Sequence, residues 1–155
     1  MEKKMNHQSG VRAITFRIRH TMLPVGDLDR TIDFYTRLLG MDIMRLRDEP
    51  ERKLRTGYLG YGSEDDGPAL EVIQSGAADA QAKMPAWSGH VALYVSDLYI
   101  LAETLKAAGV KFLTEPRPNR PGSKDLTAFI QDPDGYTIEL TERHSVTGPP
   151  LKKRQ

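Results

Sequence analysis

The chain has no cysteine. That one absence excludes disulfides, thiolate metal sites and a cysteine nucleophile. Net charge is also scarce: 22 Lys and Arg against 21 Asp and Glu leave +1. Bulk electrostatics therefore point to neither nucleic acid nor an anionic membrane as a partner. No apolar run approaches the roughly 20 residues that span a bilayer. Residues 1–10 are polar and lack the apolar stretch of a secretory signal, so a cytoplasmic protein is the expectation. What is present is 155 residues, 39% of them hydrophobic, enough for one domain or two small modules sharing a core.

Both ends read as extensions. Residues 1–13 carry little hydrophobic pattern, and residues 144–155 hold Gly148, Pro149 and Pro150 ahead of Lys152, Lys153 and Arg154. Three charges behind two prolines read as a solvated basic tail rather than a nucleic-acid arm.

Between these ends the chain is written twice. Residues 20–28 (HTMLPVGDL) and 90–98 (HVALYVSDL) agree at five of nine positions at an offset of 70, and residues 67–72 (GPALEV) align with 135–140 (GYTIEL) at an offset of 68. Each copy predicts the same element order. In the first, residues 14–25 read as a strand, and Asp27 stands where a helix N-cap belongs. Leu28, Ile32, Tyr35 and Leu39 then form one apolar helical face, and Gly40 ends it. Strands are expected over 41–46, 54–61 and 69–74, with turns at 47–50 and 62–68. In the second copy a strand over 89–95 precedes a helix capped by Asp97 and stopped by Gly109, with strands over 110–113, 126–131 and 136–141. Residues 132–135 (DPDG) form a turn in which Pro sets one φ and Gly supplies the positive one. The reading is an α+β fold of two tandem βαβββ modules, 14–76 and 88–143, joined by a linker over 77–87.

The duplication carries chemistry. Each half supplies one His on its first strand, His20 and His90, and one Glu on its last, Glu71 and Glu139. Duplicated apolar residues would suit scaffold repetition alone; duplicated His and Glu suit a metal site. The period of two places both imidazoles on the same face as Met22 and Ala92, read here as pointing into the core. A carboxylate within an apolar strand is costly unless paired or bound to a cation. Arg17, Arg19 and Arg143 are available as alternative partners. Imidazole nitrogen with carboxylate oxygen and no sulfur suits Ni, Co, Zn, Fe or Mn. The other two histidines, His7 and His144, lie outside the repeat.

The run from His20 to Tyr35, with residues 39–41 (LGM), 60–62 (GYG), 89–93 (GHVAL) and 132–140 (DPDGYTIEL), resembles glyoxalase I of the vicinal oxygen chelate superfamily over roughly residues 18–142. The resemblance implies a divalent metal held by His20, Glu71, His90 and Glu139, with water completing an octahedron. The compact core implies Ni or Co in preference to Zn. It implies a homodimer in which each site takes His20 and Glu71 from one subunit and His90 and Glu139 from the other. The implied reaction is conversion of the methylglyoxal–glutathione hemithioacetal to S-lactoylglutathione. The metal polarises the carbonyl and stabilises the enediolate formed on deprotonation. Glu139 is the expected base, and Glu71 a ligand or alternate proton carrier. Pro24 stands where that family has an Arg for glutathione, and the Asn expected after Glu71 is absent, which leaves Gln74 as its substitute. In the loop 115–124, Arg120 and Lys124 are the candidate glutathione contacts.

Other readings stay open on the residues alone. One is an isomerase or epimerase acting on a different vicinal-oxygen substrate. Another is a non-catalytic ligand-binding module on the same fold, which would purify without stoichiometric metal.

Overall fold

The computed structural model describes residues 17–76 and 89–144. His7, the expected linker and residues 145–155 of the basic tail lie outside the described residues. The first module runs β1 (His20–Pro24), α1 (Leu28–Asp33), β2 (Asp42–Glu49), β3 (Leu54–Gly60) and β4 (Ala69–Ser75). The second runs β5 (Val91–Tyr94), α2 (Leu98–Ala107), β6 (Phe112–Pro118), β7 (Leu126–Gln131) and β8 (Thr137–Glu142). The repeated βαβββ order expected from the sequence is what folds. Among the described residues no helix is long and apolar enough to cross a membrane.

Local chemistry accounts for the helix ends. The carboxylates of Asp27 and Asp97 accept from the Arg30 and Ile100 amides at 3.0 and 2.9 Å, each satisfying one otherwise orphaned first-turn donor. Gly40 and Gly109 leave the helical regions at φ 67 and 76°, a conformation costly for residues with a Cβ. The apolar face from Leu28 to Leu39 is built in two pieces, because α1 passes into a π-helical turn at Phe34–Leu38.

Two strands run further than their sequence suggested. β2 continues through residues 47–49, expected as a turn, and the reversal is made instead by a 3₁₀ turn at Pro50–Arg52 with Lys53 left-handed at φ 52°. β6 continues to Pro118 rather than stopping at Leu113. Both are edge strands. An edge position tolerates proline because one row of backbone groups needs no ladder partner. Register shifts between Phe112 and Thr114 and between Thr114 and Arg117 absorb the irregularity around Pro116.

The two sheets have matching orders, β1-β4-β3-β2 and β5-β8-β7-β6. In each, the first strand lies parallel to the last and the remaining pairs are antiparallel. One core serves both modules: Leu28, Tyr35, Leu59 and Val72 belong to the same buried cluster as Leu98, Leu105, Ile130 and Leu140.

The turn at 132–136 joins the modules. Asp134 accepts from the Gly26 amide at 2.8 Å, from Arg30 Nη2 at 3.1 Å and from Thr31 Oγ1 at 2.8 Å. Tyr136 donates its hydroxyl to the Pro24 carbonyl at 2.7 Å. Below them the fully buried Tyr35 donates to Asp132 Oδ2 at 2.9 Å, while Oδ1 accepts from the Asp134 and Tyr136 amides. Burial holds the Asp132 carboxyl above the usual carboxylate range, against the pull of these hydrogen bonds. The folded protein therefore keeps that proton to higher pH than the unfolded chain. This contribution favours the fold below the unfolded pKa and is lost as pH rises through the folded one. Urea unfolding between about pH 3 and 7 is expected to show Asp132→Asn gaining on the wild type as pH rises. A difference that stays constant with pH would remove this assignment.

Candidate metal and active site

The parallel β1–β4 pairing sets Met22 opposite Glu71, and β5–β8 sets Ala92 opposite Glu139. His20 and His90 lie two residues earlier on the same face. The result is one His–Glu pair per module: His20 Nε2 is 3.1 Å from Glu71 Oε2, and His90 Nε2 is 2.8 Å from Glu139 Oε2. The alternative partners are engaged elsewhere. Arg17 donates to the Asp65 carbonyl, Arg19 faces Glu64, and Arg143 lies over the Tyr94 ring.

The pairs do not point into the core. The imidazoles are 35% and 42% exposed, and Met22 is exposed beside His20. Strand alternation defines two faces without saying which is buried, and here the helices cover the other one. Glu71 is 13% exposed and Glu139 26%. Each is shielded enough to need a partner and open enough to meet a small ligand.

Residues not foreseen as part of the site complete each pair. Antiparallel register places Tyr58 opposite Glu71 and Phe129 opposite Glu139. Both rings meet the histidine edge-on, with centroids 5.9 Å apart for His20–Tyr58 and 5.8 Å for His90–Phe129. Tyr58 donates to Glu71 Oε1 at 2.5 Å, and Thr127 donates to Glu139 Oε1 at 3.2 Å. That bond to Glu71, with burial second, holds the Tyr58 phenol above its usual range. The signal for these residues was available: Tyr58 and Phe129 are 71 apart, close to the offset of the repeat.

As a donor set the pairs fit a divalent cation. Each offers an imidazole nitrogen and a carboxylate oxygen already facing one another, with the second carboxylate oxygen hydrogen-bonded, as ligating carboxylates are. Among the described residues, however, no third His, Asp or Glu joins either pair. One chain thus presents two half-shells of two donors each.

The candidate thiol contacts are placed differently. Arg120 and Lys124 line a shallow hollow with Ser123, Asp125 and His144, whose walls include neither His90 nor Glu139. Gln74 is turned to the helix side, where its Oε1 accepts from the Leu28 amide at 3.1 Å and from Arg55 at 3.5 Å. Strand alternation sends residue 74 to the face opposite Glu71.

A family described as the Glyoxalase/Bleomycin resistance protein/Dioxygenase superfamily matches residues 17–140. A probable lactoylglutathione lyase from Vibrio cholerae is 45% identical over 127 residues, covering 81% of this chain and 90% of its own length. The chain belongs to the glyoxalase I family of that superfamily.

Solved structures agree with this membership. Glyoxalase I from Zea mays superposes with a TM-score of 0.75 at 40% identity, covering 83% of this chain and 45% of the maize chain. The chain thus spans under half of that plant relative. Trypanothione-dependent glyoxalase I from Leishmania major superposes at 0.72 with 38% identity, covering 83% and 87% of the two chains. All four His and Glu residues of the two pairs fall inside the superfamily match.

Proposed function

We infer that this glyoxalase I family member is a lactoylglutathione lyase, which converts the methylglyoxal–glutathione hemithioacetal to S-lactoylglutathione. The observation that carries the site is the pair of His–Glu half-shells, one per module, on sheet faces left open by the helices. Two half-shells that do not meet within one chain are completed if a second copy sets the His20–Glu71 pair against the His90–Glu139 pair. A homodimer with shared sites is the arrangement this favours. The exposed Met22 and Tyr94 on the same faces supply apolar area for it.

Bound there, a divalent metal, Ni or Co in preference to Zn, would supply Lewis-acid polarisation of the substrate carbonyl and stabilise charge on its two neighbouring oxygens. His20 and His90 would hold the cation through Nε2, the atom each turns toward its paired glutamate. Glu71 and Glu139 would complete the ligand set. Glu139 removes the proton from C1 of the hemithioacetal and returns it to C2, while the C1 hydroxyl proton passes to the C2 oxygen, so the carbonyl moves from C2 to C1. No atom is gained or lost. Proton transfer between adjacent carbons needs one base that stays within reach of both, and a carboxylate on a rigid strand meets that need. Arg120 and Lys124 are the cations proposed to meet the thiol's carboxylates. Pro24 stands in place of the usual Arg, Gln74 faces away from the His–Glu pair, and the Leishmania major relative is trypanothione-dependent.

The test is S-lactoylglutathione formation from methylglyoxal and glutathione by chelator-stripped protein reloaded with Ni, Co or Zn. Turnover restored by metal is the expected result. Stoichiometric metal with no turnover on glutathione would exclude this thiol. Absence of metal binding would exclude the site. His90→Ala is expected to lower metal affinity by at least about 100-fold, since it removes one of only four protein ligands, as read by competition with a chelator.

A further inference from the structure

The two half-sites differ chiefly in how their carboxylates are held. Glu71 has both oxygens occupied, Oε2 facing His20 at 3.1 Å and Oε1 accepting from Tyr58 at 2.5 Å. The phenol has little room to move. Tyr58 is 6% exposed, its ring takes the edge of His20 on one side, and the Arg45 guanidinium lies 3.9 Å from its centroid. Arg45 is held in turn by its ion pair with Glu64, whose Oε2 accepts from Nη2 at 3.3 Å. A tyrosine orients its hydroxyl through only two side-chain torsions, and here neighbours on both sides restrain the ring.

Glu139 has no such anchor. The residue across from it is Phe129, which packs on His90 in the way Tyr58 packs on His20 but has no hydroxyl. Its polar contact at Oε1 is Thr127 at 3.2 Å, long beside the roughly 2.7–2.8 Å typical of O–H···O bonds. Glu139 is also about twice as exposed as Glu71.

We propose that Tyr58 is a positioning residue that breaks the near-symmetry of the duplicated site, locking Glu71 as a fixed ligand and leaving Glu139 as the carboxylate free to carry the proton. The inference rests on the metal-site reading above. The phenol holds the Glu71 oxygen remote from His20, so the near oxygen stays aimed where a cation shared with His20 would lie. A base must instead shift between two carbons, and a carboxylate whose oxygen remote from its histidine is met by one long hydroxyl contact can do so.

The experiment compares wild type, Tyr58→Phe, Phe129→Tyr and Glu139→Gln with and without Tyr58→Phe. Each is read by melting temperature, by Ni and Co affinity from chelator competition, and by kcat and KM separately. Tyr58→Phe is expected to stay folded and lose about tenfold in metal affinity. Phe129→Tyr, which places a phenol opposite Glu139, is expected to lower kcat about tenfold with KM little changed. Tyr58→Phe is also expected to restore part of the activity lost in Glu139→Gln, because Glu71 is released to act as base. Wild-type affinity and kcat in both Tyr58→Phe and Phe129→Tyr, with no rescue, would overturn the role of Tyr58 while leaving the metal site standing. A wild type that binds no Ni or Co would overturn both together.

Discussion

Glu139→Gln is expected to lower kcat for S-lactoylglutathione formation by about 10²–10⁴-fold, the range of one general acid–base group, with the protein folded and still loaded with metal. The amide keeps the shape and one acceptor oxygen of the carboxylate but cannot take the C1 proton. Glu139 sits 2.8 Å from His90 through one oxygen and accepts from Thr127 through the other, so the substitution disturbs little packing. Glu71→Gln is expected to behave differently, losing metal affinity first, because Tyr58 and His20 hold both of its oxygens in place. Metal content and kcat measured on both variants separate the roles. Equal loss of kcat at full metal occupancy would mean that either carboxylate can serve as base. Exchange of the C1 proton with deuterated solvent, followed in the product, provides a second reading of the same step, and Glu139→Gln is expected to abolish it.

The largest effect on stability is expected at Asp132→Ala. Its carboxylate is 5% exposed and accepts from three donors: the buried Tyr35 hydroxyl at 2.9 Å, the Asp134 amide at 3.0 Å and the Tyr136 amide at 2.8 Å. Alanine leaves all three without this acceptor, and an unsatisfied buried donor costs about 1–3 kcal/mol. A total near 3 kcal/mol is expected, which lowers Tm by about 10 °C for a domain of this size. Tyr35→Phe removes donor and demand together and is expected to cost about 1 kcal/mol. Urea unfolding of the metal-free protein makes the comparison without linkage to the site. An Asp132→Ala loss no larger than that of Tyr35→Phe would mean water replaces the carboxylate. Because the same turn carries Asp134 onto α1, Asp132→Ala is also expected to loosen the grip of one module on the other.

Much of the site was legible before any fold was known, and the reason lies in the repeat. His20 with His90 and Glu71 with Glu139 recur at offsets of 70 and 68, and chemistry-bearing residues recur that way when they serve one purpose twice. The helix caps Asp27 and Asp97 and the stops Gly40 and Gly109 were legible as well, since each acts within a few residues of chain. The βαβββ order followed from these local signals and from alternation.

What the sequence could not decide depends on which surfaces meet. Alternation placed His20 with Met22 and His90 with Ala92 but did not say which face the helices cover, and the structure puts the histidines on the open side. The partner of a strand residue lies across the ladder, so the contacts of Tyr58 with Glu71 and of Thr127 with Glu139 appear only once register is set. Gln74 faces α1 rather than the His20–Glu71 pair for the same reason. Proline and charge suggested a turn at 47–50 and a loop at 115–124, where edge position permits strand through Glu49 and Pro118. The sequence by itself determined the repeat, the donor types and the helix boundaries, because these are matters of residue identity and short spacing. Only the tertiary structure decided that the four donors form two separate pairs, and that a phenol grips one carboxylate while a threonine barely holds the other. Those outcomes are set by distances between residues far apart in the chain.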